Sequence, residues 1–242
     1  WRITYDSRSY FPDIDDPEGR LTFVQADFCD LESTSYAIKE ICRNKIFDIV
    51  INNAGVLSPP RLRLTGNGFE YTFQVNFLSH LLASEIVIRN SDPALPLIAA
   101  ATVSMVYIIG DKDLDIHLIN SNYNSLRAYS NSKLYLALMC SWLPELYPEH
   151  DLKCFAFDPG IFSSEIYRMQ HRWFSKLYRI ASPFMKSPVR AADEYARVIE
   201  SGRIINGAVY KSCKSVGVIP EINPEASRDF RNKCHDLIQP YL

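Results

Sequence analysis

Neither sign of charge is in excess in this chain: 26 Lys and Arg face 28 Asp and Glu, a formal net charge of −2 over 242 residues. With no basic run, that balance removes the electrostatic case for nucleic acid or an anionic membrane surface as a partner. Long hydrophobic runs are missing too. The most apolar stretch, Ala94 to Gly110, is shorter than the ~20 residues of a membrane-spanning helix. Its Val and Ile content predicts a buried parallel strand, apolar on both faces. The six cysteines are scattered with no C-x-x-C pair, and the histidines show no ligand spacing. Neither a zinc site nor a disulfide framework is indicated, and no metal is expected. A chain of this size needs no staples, so free thiols in a reducing, cytoplasmic compartment are the expectation. There is no secretory signal, low-complexity tract or repeat. The first residue is Trp1 rather than Met, so the natural start is expected to lie upstream.

What is present alternates between strand and helix. The length suits a single domain across residues 1–242. Leu21 to Ala26 predicts a strand ending at Asp27, and Ser33 to Cys42 a helix. Phe47 to Asn52 predicts a second buried strand, running into the turn Asn53-Ala54-Gly55. Gly68 to Arg89 predicts a long helix with Phe69, Phe73, Asn76, Phe77 and His80 near one face. His80, one turn below Asn76, reads as a packed or capping residue rather than a catalyst. A strand follows from Leu97 to Ser104, then a helix from Ser125 to Leu146, stopped before Pro148. Lys153 to Phe157 predicts a strand closed by Asp158-Pro159-Gly160. Pro188 to Gly202 predicts a helix with its stop glycine, and Ala208 to Lys211 a short last strand. Such alternation predicts an α/β fold: a Rossmann-like, doubly wound parallel sheet with helices on both faces. Ligands in that architecture bind beyond the carboxyl ends of the strands.

Tyr129 and Lys133 stand four apart on a predicted helix and so share a face. An ammonium beside a phenol favours the phenolate and eases proton transfer to a carbonyl oxygen near neutral pH. Alone, such a pair is more often a solvated helix face. Its company changes the reading. Asn52-Asn53-Ala54-Gly55 follows a buried strand, and Asn76 sits inside a long helix where an amide needs a reason to be central. Ser104 ends a strand 25 residues before Tyr129, and Pro159-Gly160 ends the next. Each is delivered to the ligand edge or to a helix flanking it.

N-N-A-G at Asn52 to Gly55, Q-V-N at Gln74 to Asn76, Ser104, Y-S-N-S-K at Tyr129 to Lys133 and P-G at Pro159-Gly160 together resemble the short-chain dehydrogenases/reductases. The resemblance covers roughly residues 20 to 215. The run T-x-x-G-x-E-x-x-F-Q-V-N at Thr65 to Asn76 is most similar to the branch of retinol dehydrogenases and WW-domain-containing oxidoreductases. The stretch after Pro159, with Trp173, Pro183-Phe184 and Lys186-Ser187, leans toward the latter. The resemblance implies NAD or NADP as cofactor, which carries the hydride while the protein positions it. It also implies the roles. Tyr129 is the acid/base, and Lys133 holds the nicotinamide ribose and tunes Tyr129. Ser104 binds the substrate oxygen, and Asn76 holds a water joined to Lys133. Asp27 lies near the adenine, Asn53, Ala54 and Gly55 line the cofactor cleft, and Pro159 and Gly160 border the nicotinamide. A dimer through the long helices is a further implication.

The departures are specific. The family's T-G-x-x-x-G-x-G phosphate loop does not occur before Leu21. Such a loop places pyrophosphate at a helix N-terminus. The sequence as it stands is therefore expected to bind NAD(P) poorly, and one extended upstream to bind it. Trp1 to Tyr5 could be a strand remnant, with Arg8 near the adenosine ribose. Asp158 replaces the His or Asn frequent before Pro-Gly, and Val103-Ser104 replaces a double serine. The aromatic and basic segment from Trp173 to Met185 reads as a lid over a lipophilic substrate, with a membrane-lying segment as the other reading. Two functions compete: an oxidoreductase acting on a lipophilic alcohol or ketone, retinoid- or steroid-like, and a non-catalytic interaction module that keeps the fold without cofactor binding.

Overall fold

The computed structural model describes residues 22, 24–43, 45–114, 123–160, 187–212, 215–217 and 219–242. The readings of Trp1 to Tyr5, Arg8 and the Trp173 to Met185 lid lie outside the described residues.

Five strands form one sheet in chain order: β1 Ile49–Asn52, β2 Leu97–Thr102, β3 Leu152–Phe157, β4 Val209–Ser212 and β5 Ser215–Gly217. The first four are parallel and β5 is antiparallel to β4. The helices are α1 Leu31–Cys42, α2 over residues 71–89, α3 Ser125–Leu146, α4 Pro188–Glu200 and α5 Pro224–Ile238.

Side chains alternate across a strand, and β2 and β3 use both faces. Leu97, Ala99, Ala101, Cys154 and Ala156 pack in one core with residues of α2, α3 and α5. Ala100, Phe155 and Phe157 join Tyr195 and Val198 of α4 in a second core on the opposite face. The doubly wound arrangement expected from the sequence is therefore built, with β2 and β3 buried on both sides.

The principal core is an aromatic cluster. Phe77 of α2 lies 5.5 Å from Phe73, 5.4 Å from Tyr135 and 6.1 Å from Phe230, centroid to centroid. Tyr135 and Phe230 are 4.5 Å apart. Phe230 belongs to α5, which sequence reasoning passed over. Its signals are ordinary: Asn223 caps the helix, accepting from Glu225 N and Ala226 N, Pro224 opens it, and the buried Phe230, Cys234 and Ile238 recur every fourth residue.

Three expectations are corrected. Thr22 and Val24 to Ala26 form no strand pairs among the described residues; a turn follows, in which the Asp27 carbonyl accepts from Asp30 N at 2.9 Å. A strand needs a neighbour to receive its backbone groups, and none is described beside it. Among the described residues β1 is an edge strand rather than a buried one: Ile49 and Ile51 are 42% and 49% exposed. Helix α2 covers the face that carries Val50 and Asn52, and no described element covers the other. The apolar run from Ala94 to Gly110 is strand only over Leu97–Thr102. It then tightens into a 3₁₀ turn, Met105–Ile109, with Ile108 and Ile109 exposed. Ser104 stands at the break, its carbonyl accepting from Tyr107 N at 2.9 Å, so hydrophobicity alone overstated the strand.

Candidate active site

Helix α2 carries an irregularity where the site lies. Between α-helical Tyr71–Phe73 and Ser79–Arg89, Gln74–Leu78 forms a π turn. Such turns widen a helix by one residue and cluster at functional sites. The Thr65-to-Asn76 motif builds the approach to it. Gly68 adopts φ +83° in a tight turn, and Glu70 Oε2 accepts from Phe73 N at 2.7 Å to cap the helix. Gln74 Nε2 donates to Asn67 Oδ1 at 2.9 Å and to Phe28 O at 3.3 Å. These motif residues thus act through structure, by fixing where Asn76 falls.

Asn76 is fully buried, and its amide grips the chain after the N-N-A-G turn. Oδ1 accepts from Val56 N at 2.7 Å, and Nδ2 donates to Val56 O at 2.9 Å and to Ser132 Oγ at 3.1 Å. Both amide hydrogens are taken, so the side chain serves as a clamp between α2, α3 and the turn. Ser132, next to Lys133, escaped sequence reasoning because a lone serine in a helix carries no pattern.

Helix α3 runs over the predicted span, its N-cap Asn124 accepting from Arg127 N at 2.9 Å. Tyr129 is half-buried one turn before Lys133, which is 4% exposed. Lys133 Nζ donates to Thr102 O, at the carboxyl end of β2, at 3.1 Å, and lies 5.8 Å from the Tyr129 ring centroid. Burial lowers the Lys133 pKa to about 8. An ammonium has three donors, and among the described residues Thr102 O is its one hydrogen-bond acceptor. The turn approaches closely: a Cβ on Gly55 would sit 3.4 Å from both Lys133 Nζ and Asn76 Oδ1. Gly55, Asn76 and Lys133 therefore meet at one point, with Tyr129 beside it.

The other expected residues border this point. Asn53 Oδ1 accepts from Thr102 Oγ1 at 2.8 Å, tying the turn to β2. Ala54 is exposed, and Ser104 is half-buried two residues past Thr102 at the same sheet edge. After β3, Asp158 Oδ1 accepts from Gly160 N at 2.9 Å, Pro159 is buried, and Gly160 takes φ +75°. The substitution of Asp at 158 is thus accommodated by a turn that its own carboxylate closes. Asp27 precedes α1; its Oδ1 accepts from Cys29 N at 2.9 Å and its N–H donates to Ser33 Oγ at 3.1 Å.

His80, expected to be a packed or capping residue, is 2% exposed and lies 2.8 Å through Nε2 from Ala54 O. Its pKa falls from 6.5 to about 4, chiefly through burial; the Ala54 carbonyl opposes the shift and the Lys133 charge adds to it. An unfolded His80 takes a proton below pH 6.5, whereas the folded one resists until about pH 4. Stability is therefore whole above pH 6.5 and is lost as the pH falls through that window, by roughly 3 kcal/mol. Urea unfolding of wild type and His80→Gln should show the wild-type advantage shrinking from pH 7 to pH 4. A difference constant over that range would contradict the assignment.

Among the described residues no helix is long and apolar enough to cross a membrane. Cys29, Cys42, Cys140, Cys154 and Cys234 are free thiols.

No family model matches the chain. Individual proteins do. Mouse retinol dehydrogenase 12 is 28% identical over 207 residues, covering 84% of this chain and 65% of its own length. Human retinol dehydrogenase 14 is 26% identical over 86% of this chain and 63% of its own. The WW domain-containing oxidoreductase of Danio rerio is 30% identical over 81% of this chain and 50% of its own. The chain thus spans half to two thirds of the length of these curated relatives. A Burkholderia cenocepacia short chain dehydrogenase in complex with NADP superposes with TM-score 0.57 at 20% identity, over 78% of this chain and 73% of that one. A 4-hydroxyisoleucine dehydrogenase complexed with NADH and succinate gives 0.61 at 17%, over 86% and 83%. These likenesses establish the shared fold. With the motif residues gathered at one sheet edge, the chain has the fold of the short-chain dehydrogenases and is similar in sequence to the retinol dehydrogenases and the WW domain-containing oxidoreductase.

Proposed function

We propose that the protein is an NAD(P)-dependent oxidoreductase that interconverts a lipophilic alcohol and its carbonyl compound, retinoid- or steroid-like. The observation that carries this reading is Lys133. A buried ammonium with one hydrogen-bond acceptor among the described residues, held beside a phenol and under a glycine turn, suits a polyhydroxylated group such as a ribose. The nicotinamide half of a dinucleotide thus fits the described residues. The pyrophosphate half has no Gly-rich strand-turn-helix among them.

When bound, the cofactor supplies the hydride chemistry. The residues of this chain position and move the proton. Lys133 would hold the ribose hydroxyls, and its charge would favour the ionised form of the Tyr129 phenol. Tyr129 would give its proton to the substrate oxygen in reduction and take it back in oxidation. Ser104, at the end of β2, would donate to the same oxygen. Asn76 would act through position, holding Val56 and Ser132. Asn53, Ala54, Gly55, Pro159 and Gly160 would wall the cleft, and Asp27, on the turn before α1, would border the adenosine end. The retinoid class follows the names of the retinol dehydrogenase relatives, and a steroid is a second lipophilic carbonyl compound to test.

Titrating the intact protein with NADH and NADPH, followed by energy transfer from tryptophan, tests the reading. Saturable binding in the micromolar range is expected, weakened at least tenfold by Lys133→Met. No binding of either dinucleotide would favour the interaction module instead.

A further inference from the structure

Among the buried polar side chains of α2, Asn76, His80 and Ser84 stand in a row, each four residues from the next. Four residues of helix advance about 6 Å. Two residues of extended chain advance roughly 6.6 Å. The two repeats match, and the structure uses the match. Asn76 bonds Val56 N and O, His80 bonds Ala54 O and Asn52, and Ser84 Oγ lies 2.9 Å from Asn52 Nδ2. The helix thus grips alternate residues of the extended run from the end of β1 through the N-N-A-G turn.

His80 is the middle rung, and its chemistry is determined by its partners. Nε2 faces the Ala54 carbonyl at 2.8 Å, and a carbonyl oxygen only accepts, so Nε2 carries the hydrogen. The Nδ1 of a neutral ring then offers a lone pair. It lies 3.2 Å from the Asn52 amide, placed with Oδ1 toward the ring. Exchanging the amide oxygen and nitrogen, which changes no heavy-atom position, lets Asn52 donate to Nδ1 and accept from the Ser84 hydroxyl. Each contact of the ladder then joins a donor to an acceptor. Phe28 packs edge-on against the ring at 5.0 Å.

We propose that His80 is a positioning residue for the cofactor cleft: protonated on Nε2, it pins the Ala54 carbonyl and so holds Asn53 and Gly55 against Thr102, Asn76 and Lys133. It touches neither substrate nor cofactor. This inference rests on the cofactor reading only for its consequence on affinity. The clamp itself is a property of the protein with the cleft empty. The charged group that faces the ring is the Lys133 ammonium across the turn; a second charge on His80 would repel it.

The test separates the two readings. In the unsubstituted protein, long-range ¹H–¹⁵N correlation of His80 should show a protonated Nε2 and a bare Nδ1 at neutral pH. A proton on Nδ1 would overturn the proposal whatever any variant does. Hydrogen exchange without cofactor should then rise at least tenfold over residues 53–56 in His80→Phe, while strand β3 stays protected. His80→Gln, which keeps a donor near the Nε2 position, should restore most of the protection. Equal loosening of β3, or a glutamine variant no better than phenylalanine, would make His80 a packing residue only. With cofactor, His80→Phe should raise the dissociation constant of NADH or NADPH at least tenfold and change kcat less than threefold. If the wild type binds neither dinucleotide, the proposed function fails, and the exchange data still decide the role of His80.

Discussion

Tyr129→Phe is expected to lower turnover at least ~10²-fold, the usual contribution of a general acid–base group. The phenol is half-buried one helical turn from Lys133, with the ammonium 5.8 Å from its ring centroid. Phenylalanine keeps the ring and its packing and removes the proton donor alone. The loss should therefore appear in kcat, with the dinucleotide dissociation constant changed less than threefold. Steady-state rates and a binding titration on the same preparation make the comparison. Turnover within a factor of three of wild type would remove Tyr129 from the chemistry.

Phe77→Ala is expected to destabilise the protein by about 3–5 kcal/mol. The ring is fully buried and touches Phe73, Tyr135, Trp142 and Phe230, so it joins α2, α3 and α5. Close-packed neighbours cannot collapse into the space it leaves. Phe77 also follows Asn76 on the π turn, so loosening it should blur the register of the site. Urea unfolding measures the effect, with Leu126→Ala as reference, since Leu126 is 54% exposed and should cost less than about 1 kcal/mol. A loss below about 1 kcal/mol for Phe77→Ala would mean that the aromatic cluster is not the core.

The legible parts of this protein are those set by local periodicity and caps. Helix α3 matches its expected span of Ser125 to Leu146, because Asn124 caps it and the buried residues recur along its length. Strands β2 and β3 were legible as apolar runs because both of their faces are covered. The same logic found β1 but overstated its burial, since its sequence looks equally apolar. Exposure of Ile49 and Ile51 depends on what lies beside them, which no local pattern records. The π turn was invisible for a related reason: it comes from one extra residue in the hydrogen-bond ladder, not from composition. Asn76, Tyr129 and Lys133 were found through their motifs. Their gripping partners Ser132, Thr102 and Val56 were not, since they contribute a hydroxyl or a backbone group that any sequence could supply. His80 was seen but read as filler. The signal that distinguishes it is the four-residue repeat of the buried polar side chains Asn76, His80 and Ser84.

The central claim is that the Lys133–Tyr129 end of this cleft supports hydride transfer. It is tested most directly by following the label. The intact protein is incubated with retinal or a steroid ketone and NADH or NADPH deuterated at the transferable C4 position, and the alcohol is examined by mass spectrometry. The account predicts an alcohol one mass unit heavier, with the deuterium on the former carbonyl carbon, and no such product from Tyr129→Phe over the same interval. An alcohol formed equally by wild type and Tyr129→Phe, or a protein that binds the dinucleotide yet labels none of these carbonyl compounds, would contradict it.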